Sequence, residues 1–214
     1  MSLKYFTPAE VASHNKRTDC WVSFFGKVFD LTSLVAAYPG NLSVPILDMA
    51  GKDISHWFDP KTGDLRTYIH PDTNLEAPYT PQGLIPHVAP QYPTTSWEND
   101  FGVVWWKDDA KYLVGRLSGH TRHITLVNTL TQQRDTIEVC EEEKLDEICR
   151  RYLELNNHAG SYTWKYLGRK LDMGKTLSEN DVPDYGESFT EVAVDGDSFI
   201  PTLFVYFNDD LTVQ

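Results

Sequence analysis

At 214 residues and 41% hydrophobic content, the chain is long enough for two small domains, each near the lower edge of what buries its own core. Its net charge of −12 excludes non-specific binding to nucleic acid or to an anionic membrane surface, because phosphate is repelled. Cys20, Cys140 and Cys149 form no C-x-x-C pair, and an odd count is a poor disulfide framework, so a reducing cytoplasmic compartment is expected. The first residues lack a signal-like apolar run and no stretch approaches the ~20 apolar residues of a span, so solubility without a membrane partner is expected.

Taken in chain order, Thr7-Pro8-Ala9-Glu10 predicts a helix start, with Thr7 as cap, Pro8 at the first helical position and Glu10 closing a capping box. The runs Trp21–Phe25 and Lys27–Leu31, separated by Gly26, predict paired strands. Thr32 or Ser33 can cap a helix that reaches Tyr38 before Pro39-Gly40 breaks it. Further short helices are expected from Val44 to Met49 and over Asp53–Phe58, the latter ended by Asp59-Pro60.

This order of residues resembles the cytochrome b5 haem-binding domain over about 50 positions. The shared elements are Tyr5-Phe6-Thr7, Glu10-Val11, His14-Asn15, Trp21-Val22, Gly26–Thr32, Pro39-Gly40, Ala50-Gly51, Asp53 and Phe58. The resemblance implies a cytochrome b5-like fold over residues 5–70, and it brings a haem gripped by two neutral imidazoles as the cofactor to be tested. Here the two axial positions hold Tyr38 and Gly63, and neither supplies an imidazole. Two readings stand. In one, Tyr38 and His70 are the axial candidates, a phenolate being able to hold ferric iron. In the other, Tyr38 packs as an ordinary aromatic, His70 sits in a loop and the fold serves as a scaffold; this reading is taken forward.

Residues 71–117 read as a bridge. Pro71, Pro78, Pro81, Pro86, Pro90 and Pro93 remove backbone donors and fix φ, so an extended segment is expected. Leu84, Ile85, Val88, Trp97, Phe101, Trp105 and Trp106 lie in it too, and such side chains seek burial, either against a domain or on a partner protein. Trp97, Trp105 and Trp106 are therefore candidate partner-binding residues.

Residues 118–208 form the second module. His123–Leu130 and Thr136–Val139 predict a hairpin around a polar turn. Glu141-Glu142-Glu143 predicts a helix start with negative charge at its positive end, continued by the stripe Leu145, Ile148, Cys149, Tyr152 and Leu153. Short strands are expected at Ser161–Tyr166 and Thr202–Phe207. The pattern, with Val127–Thr131 and Gly168–Ser178, resembles ubiquitin, which implies a β-grasp; no Gly-Gly terminus is present for conjugation. Cys149 is then a core residue. His120 and His123 have metal-like spacing but no matching Cys or carboxylate, so a loop entering a strand is expected.

The expected class is thus α+β: a cytochrome b5-like N-terminal fold and a ubiquitin-like C-terminal β-grasp joined by a Pro-rich extended segment. That module order resembles a ciliary family of cytochrome b5 domain-containing proteins. The resemblance implies a non-enzymatic component of the motile cilium or flagellum, partnered by axonemal and radial spoke proteins and influencing ciliary beating. A haem-bearing electron carrier or redox sensor is the competing expectation, and a ubiquitin-pathway adaptor the third.

Overall fold

The computed structural model describes residues 4–90, 100–195 and 199–207. In chain order the first part holds β1 (Lys4–Phe6), α1 (Pro8–Ser13), β2 (Asn15–Lys16), β3 (Asp19–Phe24), β4 (Lys27–Asp30), α2 (Thr32–Ala37) and α3 (Val44–Asp48). It continues with β5 (Thr67–Ile69), β6 (Glu76–Pro78), α4 (Asp109–Tyr112) and β7 (Leu113–Leu117). The second part holds β8 (Thr121–Asn128), β9 (Arg134–Cys140), α5 (Leu145–Tyr152), β10 (Tyr162–Tyr166), β11 (Arg169–Lys170), α6 (Gly186–Glu191) and β12 (Thr202–Phe207). The chain divides into two compact units at Leu117/Ser118.

Local chemistry accounts for most of the first unit's elements. The Thr7 hydroxyl accepts the Glu10 amide at 3.1 Å while the Glu10 carboxylate accepts the Thr7 amide at 2.8 Å, the reciprocal box that starts α1. The α2 start differs from expectation. Thr32 is already helical, and the Asp30 carboxylate, not a Thr32 or Ser33 hydroxyl, accepts the Thr32 amide at 2.9 Å. The Thr32 hydroxyl instead accepts the Cys20 amide on β3, tying helix to sheet. The segment read as a helix over Asp53–Phe58 is a single 3-10 turn, Ser55–Trp57.

The five-stranded sheet runs β1-β7-β4-β3-β2. Strand β7 lies parallel to β1 and antiparallel to β4. Gly115 permits the β1 approach, since a Cβ there would overlap the Lys4 carbonyl and the Phe6 ring. Residues 71–117 thus supply a strand of this sheet. They also supply Ile85, Val88, Trp105, Trp106 and Tyr112 to a buried cluster with Phe24, Phe29, Leu34, Ile46, Trp57 and Phe58. Burial of such side chains is worth roughly 1.5–3 kcal/mol each, which is what draws this Pro-rich stretch onto the unit.

In the second unit the sheet order is β11-β10-β12-β8-β9, with β12 parallel to β8 and antiparallel to β10. Helix α5 lays Leu145, Ile148, Cys149 and Tyr152 onto Ile124, Leu126, Trp164, Leu203 and Val205. The expected acidic helix start is corrected: α5 begins at Leu145, and Glu143 is buried before it, accepting the Cys140 amide and pairing with Arg151. Cys20, Cys140 and Cys149 are all buried, and none is in a disulfide. Burial pushes the Cys20 thiol up to about 11 and raises that of Cys149, so neither suits a nucleophile. His120 stands 2.8 Å from the Asp184 carboxylate, and His123 lies on β8 opposite Glu138.

Candidate functional site

Tyr38 sits at the C-terminal cap of α2, where its amide donates to the Leu34 carbonyl at 3.0 Å. Leu34 is fully buried one turn earlier on the same side of the helix, so Tyr38 is carried against the first core, half-buried. Its hydroxyl oxygen lies 3.1 Å from Nε2 of His87, with the two rings edge to face at 5.4 Å. The Trp105 amide donates to Nδ1 of His87 at 3.0 Å. A nitrogen that accepts a hydrogen bond carries no proton, so the neutral ring holds its proton on Nε2 and donates it to the Tyr38 oxygen. The His87 ring also stacks on Phe101, centroids 4.5 Å apart and planes within 5°. Burial, and then the charge of Lys111, lower the His87 pKa, which favours this neutral form.

His87 has φ +67°, a left-handed conformation that is uncommon for a non-glycine residue and persists only where surroundings enforce it. Pro86 and Val88, on either side of it, are both buried. Sequence reasoning passed over His87. The available signal was one histidine flanked by Leu84, Ile85 and Val88 inside an otherwise proline-rich stretch.

His70 lies elsewhere in the chain's contacts. It follows β5, its amide donates to the Leu75 carbonyl at 2.9 Å, and Nδ1 accepts the Asp72 and Thr73 amides at 3.3 and 3.4 Å. These contacts close the β5–β6 turn; the structure joins Tyr38 to His87, not to His70. His56 is exposed on the 3-10 turn. Gly63 has φ +68° and open space where a Cβ would stand. It lines a cleft of about 280 Å³ with Phe24, Phe25, Lys27 and Trp106.

The bridge tryptophans are placed as follows. Trp105 is fully buried, edge-on to Phe24 at 6.2 Å and to Phe58 at 6.0 Å. Trp106 is 8% exposed, and its indole N–H donates to Asp64 at 3.2 Å. Lys107 pairs with the same carboxylate at 2.6 Å, and that bond is the main reason the Asp64 carboxyl sits below its ordinary range. Both rings therefore pack on the core, with only an edge of Trp106 reaching the cleft beside Gly63. Trp97 lies outside the described residues.

The donor set decides what iron chemistry the site suits. Two imidazoles on opposite faces, as in an electron carrier, are not provided, since Gly63 has no side chain and His70 is committed to its own turn. The Tyr38 hydroxyl is engaged by His87, and its ring packs against the core that Ile85, Val88 and Trp105 help to fill. Among the described residues no three His, Cys, Asp or Glu side chains gather as a site for a bare metal ion, and no helix is long and apolar enough to cross a membrane.

The profile of the family described as "Cytochrome b5-like Heme/Steroid binding domain" matches residues 7–118, a span that takes in both Tyr38 and His87. Over 210 residues the chain is 53% identical to human cytochrome b5 domain-containing protein 1, covering 98% of this chain and 92% of that protein. The Xenopus laevis protein of the same name is 51% identical over 210 residues, covering 98% and 96%. A shorter likeness, 38% over 95 residues, links it to the L-lactate dehydrogenase (cytochrome) of Saccharomyces cerevisiae, covering 42% of this chain and 16% of that enzyme. The chain belongs to the cytochrome b5-like haem/steroid-binding domain family, alongside the cytochrome b5 domain-containing protein 1 sequences of vertebrates.

Proposed function

We propose that this chain is a non-catalytic component of the motile ciliary axoneme, associated with the radial spokes, through which it influences beating. The location rests on the resemblance of the module order to a ciliary family. The non-catalytic part rests on one observation: the axial positions hold Tyr38 and Gly63, so the paired imidazoles of an electron shuttle are missing. We read the second unit as a ubiquitin-like β-grasp that serves as a docking body. The support is α5 packed on a mixed sheet whose central strands β12 and β8 are parallel. Its exposed Phe204, Tyr206 and Phe207 belong to that sheet and offer apolar area to a neighbour.

A second reading concerns the first unit: a haem-bearing redox sensor in the same setting. The family's haem-binding description favours it.

The test is fractionation of detergent-extracted motile cilia that carry the tagged full chain. The expected result is retention on axonemes through moderate salt and loss from axonemes that lack radial spokes. Release into the soluble matrix fraction, or equal retention without spokes, overturns the assignment.

A further inference from the structure

We propose that the outer face of the second unit's sheet binds an acidic extended segment of a partner protein, with apolar residues between its carboxylates; this rests on the docking-body reading above and adds the partner's chemistry. Strand residues alternate between faces, and β12 turns Leu203 and Val205 into the core while Phe204 and Tyr206 stand exposed on the other side. Residues directly opposite one another share a face, so the strand pairing traces one outer row: Lys170, Lys165, Phe204, Val127, Arg134. An apolar centre is thus flanked by cations, two at one end and one at the other. Lys165 also holds its ammonium 4.5 Å from the centroid of the Tyr206 ring, which fixes where that charge stands.

Two observations point to an anion as the missing neighbour. Lys165 and Lys170 are directly opposed across β10 and β11, a like-charge pair that destabilises a sheet until something neutralises it. Among the described residues neither they nor Arg134 pairs with a carboxylate, although Arg122, Arg150, Arg151, Arg169 and Lys175 of the same unit all do. The face therefore keeps its positive charge in a chain whose net charge is −12. A second copy fits poorly. Two such faces brought together repel, and one face set against the acidic remainder of another copy gives a contact that does not close. A nucleic acid, longer than the face, also meets the field of the whole acidic chain. A short acidic segment responds mainly to the local cations, because salt screens charges beyond about 8 Å. With strands about 4.8 Å apart the row is roughly 19 Å long, which an extended segment of about six residues covers. Its carboxylates steer encounter and set register, while Phe204 and Tyr206 supply the apolar contact.

The experiment titrates the purified full-length chain with a fluorescent peptide of two glutamates, leucine, phenylalanine and two glutamates, flanked by glycines. Anisotropy reads affinity, amide chemical shifts read location, and circular dichroism of each variant controls for folding. Expected is saturable binding that weakens as salt rises, with shifts centred on β8, β10 and β12. Lys165→Glu combined with Lys170→Glu should weaken it at least about 10-fold, as should glutamine in place of glutamate in the peptide. Phe204→Thr, which keeps a strand former, should weaken it at least about 5-fold. Arg150→Glu, on the exposed side of α5, should leave it unchanged. No binding of the acidic peptide, or an equal loss in Arg150→Glu, overturns the face as its site. Equal affinity for the glutamine peptide overturns charge as its basis. Tighter binding of a single-stranded oligonucleotide of equal charge assigns the face to another occupant and overturns the proposal. So does a concentration-dependent dimer in sedimentation that the double charge variant abolishes. Each of these failures leaves the axonemal assignment to its own test by fractionation.

Discussion

The two units bury their cores by different routes. In the second, α5 and the strands on either side of it bring their own periodic apolar faces: Leu145, Ile148, Cys149 and Tyr152 on the helix, Ile124, Leu126, Leu203 and Val205 on the strands. In the first, elements β3, β4, α2 and α3 enclose only part of the core. Ile85, Val88, Trp105, Trp106 and Tyr112 complete it from a stretch whose apolar residues follow no sustained helical or strand period. A core closed by periodic elements is readable from the chain. A core closed by an irregular segment is not, and it is there that the unusual Tyr38–His87 contact lies.

Removing the large rings tests that contrast most severely. Trp105→Ala should cost the first unit about 3–5 kcal/mol, as for a fully buried aromatic. Trp164→Ala should cost the second unit a similar amount, about 3–5 kcal/mol, at 1% exposure. Amide exchange read residue by residue locates the loss in each case. Unchanged protection of β3 and β4 in Trp105→Ala would show that the irregular segment lies on the core without completing it.

A polar counterpart follows in the second unit. The Arg122 side chain is 4% exposed, pairs with Glu141 at 2.8 Å and donates to the Val182 carbonyl at 3.1 Å. Arg122→Ala removes the cation beside Glu141, which keeps the Ser178 hydroxyl as a hydrogen-bond donor, and a loss of about 3 kcal/mol is expected from urea unfolding. Replacing both partners, Arg122→Met with Glu141→Leu, should recover most of it. If the double variant is no better than the single, the pair is not the source of the cost.

Acid should act earlier on the first unit through His87, whose pKa is lowered by burial and then by Lys111. The unfolded chain takes up a proton near pH 6.5, where the folded chain does not yet do so. The contribution is therefore complete above about pH 6.5 and declines as pH falls towards the lowered folded value. His87→Gln, which cannot titrate, should flatten that slope in urea midpoints measured from neutral pH downwards. An identical slope in the variant would rule His87 out as its origin.

The smallest effect is expected at Asp64, whose side chain is 48% exposed where it pairs with Lys107. Asp64→Asn keeps an acceptor for the Trp106 indole, so a change within about 1 kcal/mol is expected. A larger loss would mean that this contact, and not the buried rings, holds the segment down.

Read from the chain alone, Thr7 and Glu10 announce α1 because a capping box needs only neighbours four residues apart at most. The alternation around Ile124 and Val205 and the stripe on α5 are equally local statements. By resemblance to cytochrome b5, Tyr38 and Gly63 stand where that family has its axial imidazoles, a reading that needs only the order of the motifs. The α2 start was misjudged at Thr32 and Ser33 because a nearby carboxylate, Asp30, takes the amide first.

Composition and local patterning determined this protein's acidic α+β character, while the expectation of missing imidazoles came from its resemblance to cytochrome b5. The tertiary structure decided where residues 71–117 go and which histidine meets Tyr38. His70 has the turn donors Asp72 and Thr73 beside it and satisfies itself locally. His87 instead meets Tyr38 and the Trp105 amide, 49 and 18 residues away in sequence, in a stretch where Pro86 and Val88 are buried. Local hydrogen bonds can be counted along a chain; long-range ones depend on which apolar neighbours are driven out of water.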